Sequence, residues 1–121
     1  MDANNQNAVG GESNMELVRI QKNYLDELES LRREEQDIVS KFNVKLAEKI
    51  FISNWEQGFS YEENLNLFLN ELTQVEEILF NSSDKFEQHD INVALSQLRI
   101  LREKGNTAMA KAMEQEKELA A

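Results

Sequence analysis

Apolar residues recur along the first half of this chain at an interval of eleven. Leu17, Leu28, Val39 and Ile50 form one row, and Ile20, Leu31 and Phe42 a second. A third row, Tyr24, Glu35 and Leu46, is apolar at two of its three places. Eleven residues in three turns is about 3.67 per turn, close to the 3.6 of a straight α-helix, so the stripe stays on one face without a left-handed supercoil. The pattern predicts one long amphipathic helix over residues 15–53, with Ser13 or Asn14 as its cap and Ser13 to Glu16 at capping-box spacing. At about 1.5 Å per residue, Met15 to Ile52 would span roughly 57 Å. The apolar stripe broadens near its end, over Leu46, Ala47, Ile50, Phe51 and Ile52, which implies more than one neighbour there.

Ser53 to Gly58 breaks the pattern and places Trp55 in a connection, as a hydrophobic lid over the bundle end or as an exposed anchor for a partner. Ser60-Tyr61-Glu62-Glu63 has capping-box spacing and opens a second helix, over 61–81. Its apolar positions, Tyr61, Leu65, Phe68, Leu72, Val75 and Leu79, alternate at 4 and 3, a heptad seam suited to knobs-into-holes packing. Residues 81–84 read as a turn. A third helix follows over 85–104, starting at Lys85 or restarting at Asp90, with Phe86, Ile91, Ala94, Leu95, Leu98 and Leu101 on its core face. Gly105-Asn106-Thr107 either ends this helix or kinks it into a continuation over 107–119. Residues 1–14, rich in Asn with Gly10-Gly11, are expected to be a disordered tail ahead of a single helical domain over 15–121.

Composition agrees with this reading. Proline is absent, β-branched runs are scarce, and good helix formers dominate. The expected fold class is all-α: an elongated, coiled-coil-like three-helix bundle, with one long N-terminal helix followed by a helical hairpin. Cysteine is absent, which excludes disulfides and thiolate zinc sites. No apolar run reaches the length of a transmembrane helix, and the N-terminus has no basic region followed by an apolar core, so the expected location is cytoplasmic or nuclear.

The net charge of −10 is unevenly placed. No Lys or Arg lies between Lys49 and Lys85, whereas Glu56, Glu62, Glu63, Glu71, Glu76 and Glu77 do. This negative block disfavours direct contact with nucleic acid or anionic membrane and would suit a basic partner surface. Its alternative is the solvated outer face of one helix.

Chemistry finds no foothold. His89 is the sole histidine and sits beside Asp90 near a helix start, with no nucleophile pattern around it. The pairs Glu34-Glu35, Glu62-Glu63 and Glu76-Glu77 are neighbours on a helix, so they point about 100° apart and do not converge as acid and base. There is no Glu-x-x-His pair for a di-iron bundle and no Gly-rich phosphate loop. The expectation is a chain that is not an enzyme and carries neither cofactor nor metal.

Helix lengths then suggest a function. If the second helix returns antiparallel along the first, its roughly 30 Å reaches back only to about residue 33. Leu17, Ile20, Tyr24, Leu28 and Leu31 would then overhang as an open apolar seam, a feature that marks partner interfaces. Those five residues and Trp55 are the candidate partner-binding set. Glu35, alone on the stripe, would sit at the bundle edge or pair with a basic residue of the partner. The alternative is a self-contained bundle in which the third helix packs parallel to the first over its whole length. The texture of the chain resembles the small subunits of eukaryotic multi-subunit coiled-coil assemblies, a likeness that assigns no residue. The first functional reading is therefore a structural or adaptor subunit of a hetero-oligomeric helical complex, with a homodimer through the first helix as a further option. The second is a small acidic regulator binding a basic partner through residues 56–77, with Glu62, Glu63, Glu71, Glu76 and Glu77 as its face.

Overall fold

The computed structural model describes residues 2–51 and 60–120, and the side chains of 14–49, 51 and 60–120. Four helices account for almost all of this: α1 (Asp2–Phe42), α2 (Val44–Phe51), α3 (Tyr61–Phe80) and α4 (Gln88–Ala120). There is no strand among the described residues. The all-α bundle with a long N-terminal helix is thus the architecture of the chain. The bounds of α1 reach beyond the expected start at Met15, and the side chains of residues 2–13 lie outside the described set.

The row pattern of α1 is realised in its burial. Ile20, Tyr24, Leu28, Leu31, Glu35, Ile38 and Val39 are all buried, one continuous face with the period read from the sequence. In α3 the heptad seam does the same through Leu65, Phe68, Leu72, Val75 and Leu79. Ser60 caps it, its hydroxyl accepting from the Glu63 backbone N–H at 3.1 Å. The core face of α4 is Ile91, Ala94, Leu98 and Leu101, continued by Gly105, Ala108 and Ala112.

Two features depart from the sequence reading of the helices. The first helix does not run unbroken to residue 53. It stops at Phe42, and Asn43 serves both sides of the break. Its N–H still donates to Val39 O at 3.0 Å, while its side-chain oxygen accepts from Leu46 N at 3.0 Å as the N-cap of α2. The chain then folds back along α1 and brings the Phe51 ring to 5.2 Å from the Arg32 guanidinium. The apolar broadening at 46–51 explains why. A straight helix could not put all of it against the bundle, whereas the reversal buries Ala47 and packs Leu46 and Phe51 on the core.

Gly105 is the second departure. It neither ends nor kinks the helix, and α4 is continuous from Gln88 to Ala120. A Cβ at this position would lie 3.2 Å from both Leu65 Cδ1 and Phe68 Cε2. The glycine lets α3 approach closely, which compensates its poor helix propensity.

The topology also differs from the antiparallel hairpin expected for the second helix. Tyr24 meets Tyr61, and further up Arg32 meets Glu71, so α3 runs parallel to α1. The reversal through α2 carries the chain back down before α3 starts, which removes the need for an antiparallel return. The helix that runs antiparallel to both is α4. Just ahead of its upper end, Phe86 packs edge-on against Phe42 of α1, with ring centroids 5.2 Å apart, and its lower end meets α3 where Glu116 accepts from the Tyr61 hydroxyl at 2.5 Å.

Candidate functional site

The expected open seam is closed in this fold. Ile20, Tyr24, Leu28 and Leu31 are buried inside the chain's own bundle and Leu17 is half-buried, because α4 extends through Gly105 far enough to cover them. Ala108 and Ala112 lie on the same stretch as Ile20 and Tyr24, and their small side chains admit the larger ones of α1. The premise that these residues are left wet is thereby corrected. The length mismatch vanishes once α4 is a single helix of 33 residues. Trp55 lies outside the described residues.

The acidic face divides into two groups. Glu62, Glu63 and Glu77 are exposed. Glu71 and Glu76 are turned inward onto neighbouring helices. Glu71 takes a forked pair from Arg32, with Nε to Oε1 at 3.0 Å and Nη2 to Oε2 at 3.1 Å, both side chains mostly buried. Glu76 pairs with Arg102 of α4, whose other contact on α3 is the Thr73 hydroxyl at 3.1 Å. The basic residues missing from the middle of the sequence are supplied by the helices on either side.

Beside these pairs sits Glu35, and the structure corrects its expected place at the bundle edge. It is fully buried in the core, its carboxyl beside that of Glu71, to which the protonated acid donates a hydrogen bond. Burial, with the Glu71 carboxylate close by, pushes its pKa up to about 10. Arg32 pulls the other way, and Glu76 adds to the rise. Glu35 is therefore a neutral acid at pH 7, in keeping with the rule that a buried carboxyl sheds its charge rather than carry it into the core unpaired.

A more open region lies along the outer furrow between α1 and α4. Two adjoining cavities there, of about 280 and 380 Å³, share Ile38, Lys41 and Gln97 and so form one channel. Val93 and Ile100 project from the α4 side, 44% and 50% exposed, with Phe42 and Phe86 at the upper end. Charged residues rim it: Glu34, Asp37 and Lys41 on α1, Asp90 and Lys104 on α4. Sequence reasoning missed this strip. Its signal was available in the spacing of Val93 and Ile100, seven residues apart about Gln97 and off the face that carries Ala94, Leu98 and Leu101.

At the lower end a third cavity of about 330 Å³ is lined by Tyr24, Tyr61, Asn64 and Glu116 among others. Its polar groups are engaged with one another. The Tyr24 hydroxyl donates to Tyr61 O at 2.7 Å, and Asn64 Nδ2 donates to Ser60 O at 2.8 Å. Burial raises the Tyr24 hydroxyl to about 12, and burial together with the Glu116 carboxylate raises Tyr61 as well. Both phenols stay protonated donors, and the arrangement clamps three helices together.

Among the described residues no cluster of three or more His, Asp or Glu is placed to hold a metal ion, and no helix is long and apolar enough to cross a membrane. His89 is exposed at the start of α4. No protein-family model, characterised protein sequence or solved structure matches this chain.

Proposed function

We propose that this protein is a non-catalytic structural or adaptor subunit that works by helix–helix association within a larger helical assembly. The observation that carries the reading is the α1/α4 strip. Val93 and Ile100 stand half in water beside Ile38, Phe42 and Phe86, while Ile20, Tyr24, Leu28 and Leu31 of α1 and the heptad of α3 are packed inside. A further amphipathic helix laid in that furrow would extend the bundle and cover Val93 and Ile100, as in helix-in-groove recognition. The partner surface is thus moved from the lower half of α1, where the sequence placed it, to the outer furrow. The acidic-regulator reading is weakened, since Glu71 and Glu76 are engaged with Arg32 and Arg102.

The test is the native size of the chain in extracts of the cells that make it, for the natural sequence and for Val93→Asp with Ile100→Asp. A particle well above 14.0 kDa that collapses to the monomer on substitution supports the reading. A 14.0 kDa species in both cases sinks it.

A further inference from the structure

We propose that the occupant of the α1/α4 furrow is a second copy of this chain, docked face to face and antiparallel about a two-fold axis that crosses the furrow near Gln97. The proposal rests on the helix-docking reading above and names its partner.

The order of residues along the two rims points to this occupant. On the α4 rim, Asp90, Val93, Gln97, Ile100 and Lys104 follow one another in the furrow, and the sequence is self-complementary about Gln97. Reversing it sets Val93 against Ile100 of the copy and Asp90 against its Lys104. On the α1 rim, Glu34 precedes Lys41, and reversal about Ile38 brings the copy's Lys41 to the level of Glu34, with Asp37 beside the axis. Both rims reverse at one level, because Ile38 and Gln97 face each other across the same furrow. One rotation therefore sets Val93 against Ile100, Asp90 against Lys104 and Glu34 against Lys41. This is the self-complementarity that an isologous interface needs.

The other two-fold arrangement, with the axis along the helices, fails on chemistry. It would lay the α1 rim of one copy on the α4 rim of the other, so that Val93 and Ile100 would face Glu34, Asp37 and Lys41. Exposed apolar side chains set on charged ones bury neither well. The antiparallel arrangement stacks the only two large exposed apolar groups of this rim on each other.

The strip from Asp90 to Lys104 is about 21 Å long. The net charge of −10 on each copy opposes approach at long range and is screened by salt, whereas the rim pairs are local.

The absence of cysteine makes the test clean, since any disulfide must come from introduced thiols. Three single variants, Gln97→Cys, Asp90→Cys and Lys104→Cys, are oxidised mildly at high micromolar concentration. Glu103→Cys, exposed and outside the furrow, is the control. The proposal expects Gln97→Cys to link to itself at least about tenfold faster than the control, because docking raises the local thiol concentration. Asp90→Cys and Lys104→Cys should link fast only when mixed. Gln97→Cys no faster than the control overturns the arrangement even if a dimer is present. A chain that stays at 14.0 kDa throughout by light scattering overturns the second copy as occupant. The helix-docking reading would survive that result if the extract particle remains large, so the two failures are distinguishable. Circular dichroism of each variant confirms that the bundle is intact.

Discussion

The two flanks of α4 are built differently. Toward α3 the helix is sealed: Gly105 lets the Leu65 and Phe68 side chains come close, and Arg102 reaches across to Thr73 and Glu76. Toward α1 the helix is also packed, but over Val93 to Lys104 an outer furrow with exposed apolar residues runs beside the contact. One helix thus carries a closed outer surface on one side and an open furrow on the other. The difference teaches where to look for function. Substitutions on the sealed flank should change the stability of the monomer, and those on the open flank should change association while leaving the fold alone.

The largest stability effect is expected at Phe68, which is fully buried against Gly105. Phe68→Ala should cost about 3–5 kcal/mol in chemical denaturation, because the contact cannot collapse around a rigid helix pair. A loss under 1 kcal/mol would mean that the sealed flank is not packed as described.

Glu35 comes next, and its effect depends on pH. Its folded pKa, about 10, lies above the ordinary carboxylate value, so the folded state holds the proton more tightly than the unfolded chain. That contribution to stability is complete at acid pH and is lost as pH rises from the unfolded value, near 4.3, toward the folded one. Glu35→Gln removes the titration and keeps the shape. At pH 7 the variant should exceed the natural chain by about 3 kcal/mol, and near pH 4 the two should agree. An equal gap at both pH values would show that Glu35 does not titrate with folding.

On the open flank the expected change in stability is small. Val93→Ser with Ile100→Ser should alter the unfolding free energy by no more than about 0.5 kcal/mol per site, as for surface positions that are not packed. The same pair should abolish self-association. A large loss of stability in the monomer would show that these residues are already engaged within the fold, and the contrast between the flanks would collapse.

Much of this architecture was legible in the sequence. The heptad of α3 and the cap at Ser60 are local signals, and packing did not override them. The rows of α1 were equally clear as far as Phe42. What escaped was set by contacts between distant residues. Asn43 is an ordinary residue in a run of good helix formers, and the fold-back at that point depends on what Leu46, Ala47 and Phe51 find to pack on. Gly105 looked like punctuation because its close neighbours, Leu65 and Phe68, are forty and thirty-seven residues away along the chain. These two misreadings produced the open seam on α1, since a short third helix and an antiparallel second one leave Ile20 to Leu31 uncovered. Glu35 reads as costly in the sequence, but its solution as a neutral acid depends on burial and on the proximity of Glu71, a residue of another helix. The outer furrow was missed because Val93 and Ile100 are only two residues, too few to stand out until the neighbouring helix marks one side of them as open.

The central claim is that a second copy covers the open outer furrow between α1 and α4. Light scattering after size exclusion, across concentrations from low to high micromolar, tests it most directly. The account predicts a mass that climbs from 14.0 kDa toward twice that value, and that stays at 14.0 kDa in the Val93→Ser, Ile100→Ser variant. A mass fixed at 14.0 kDa for the natural chain, with a cooperative melt independent of concentration, would contradict it.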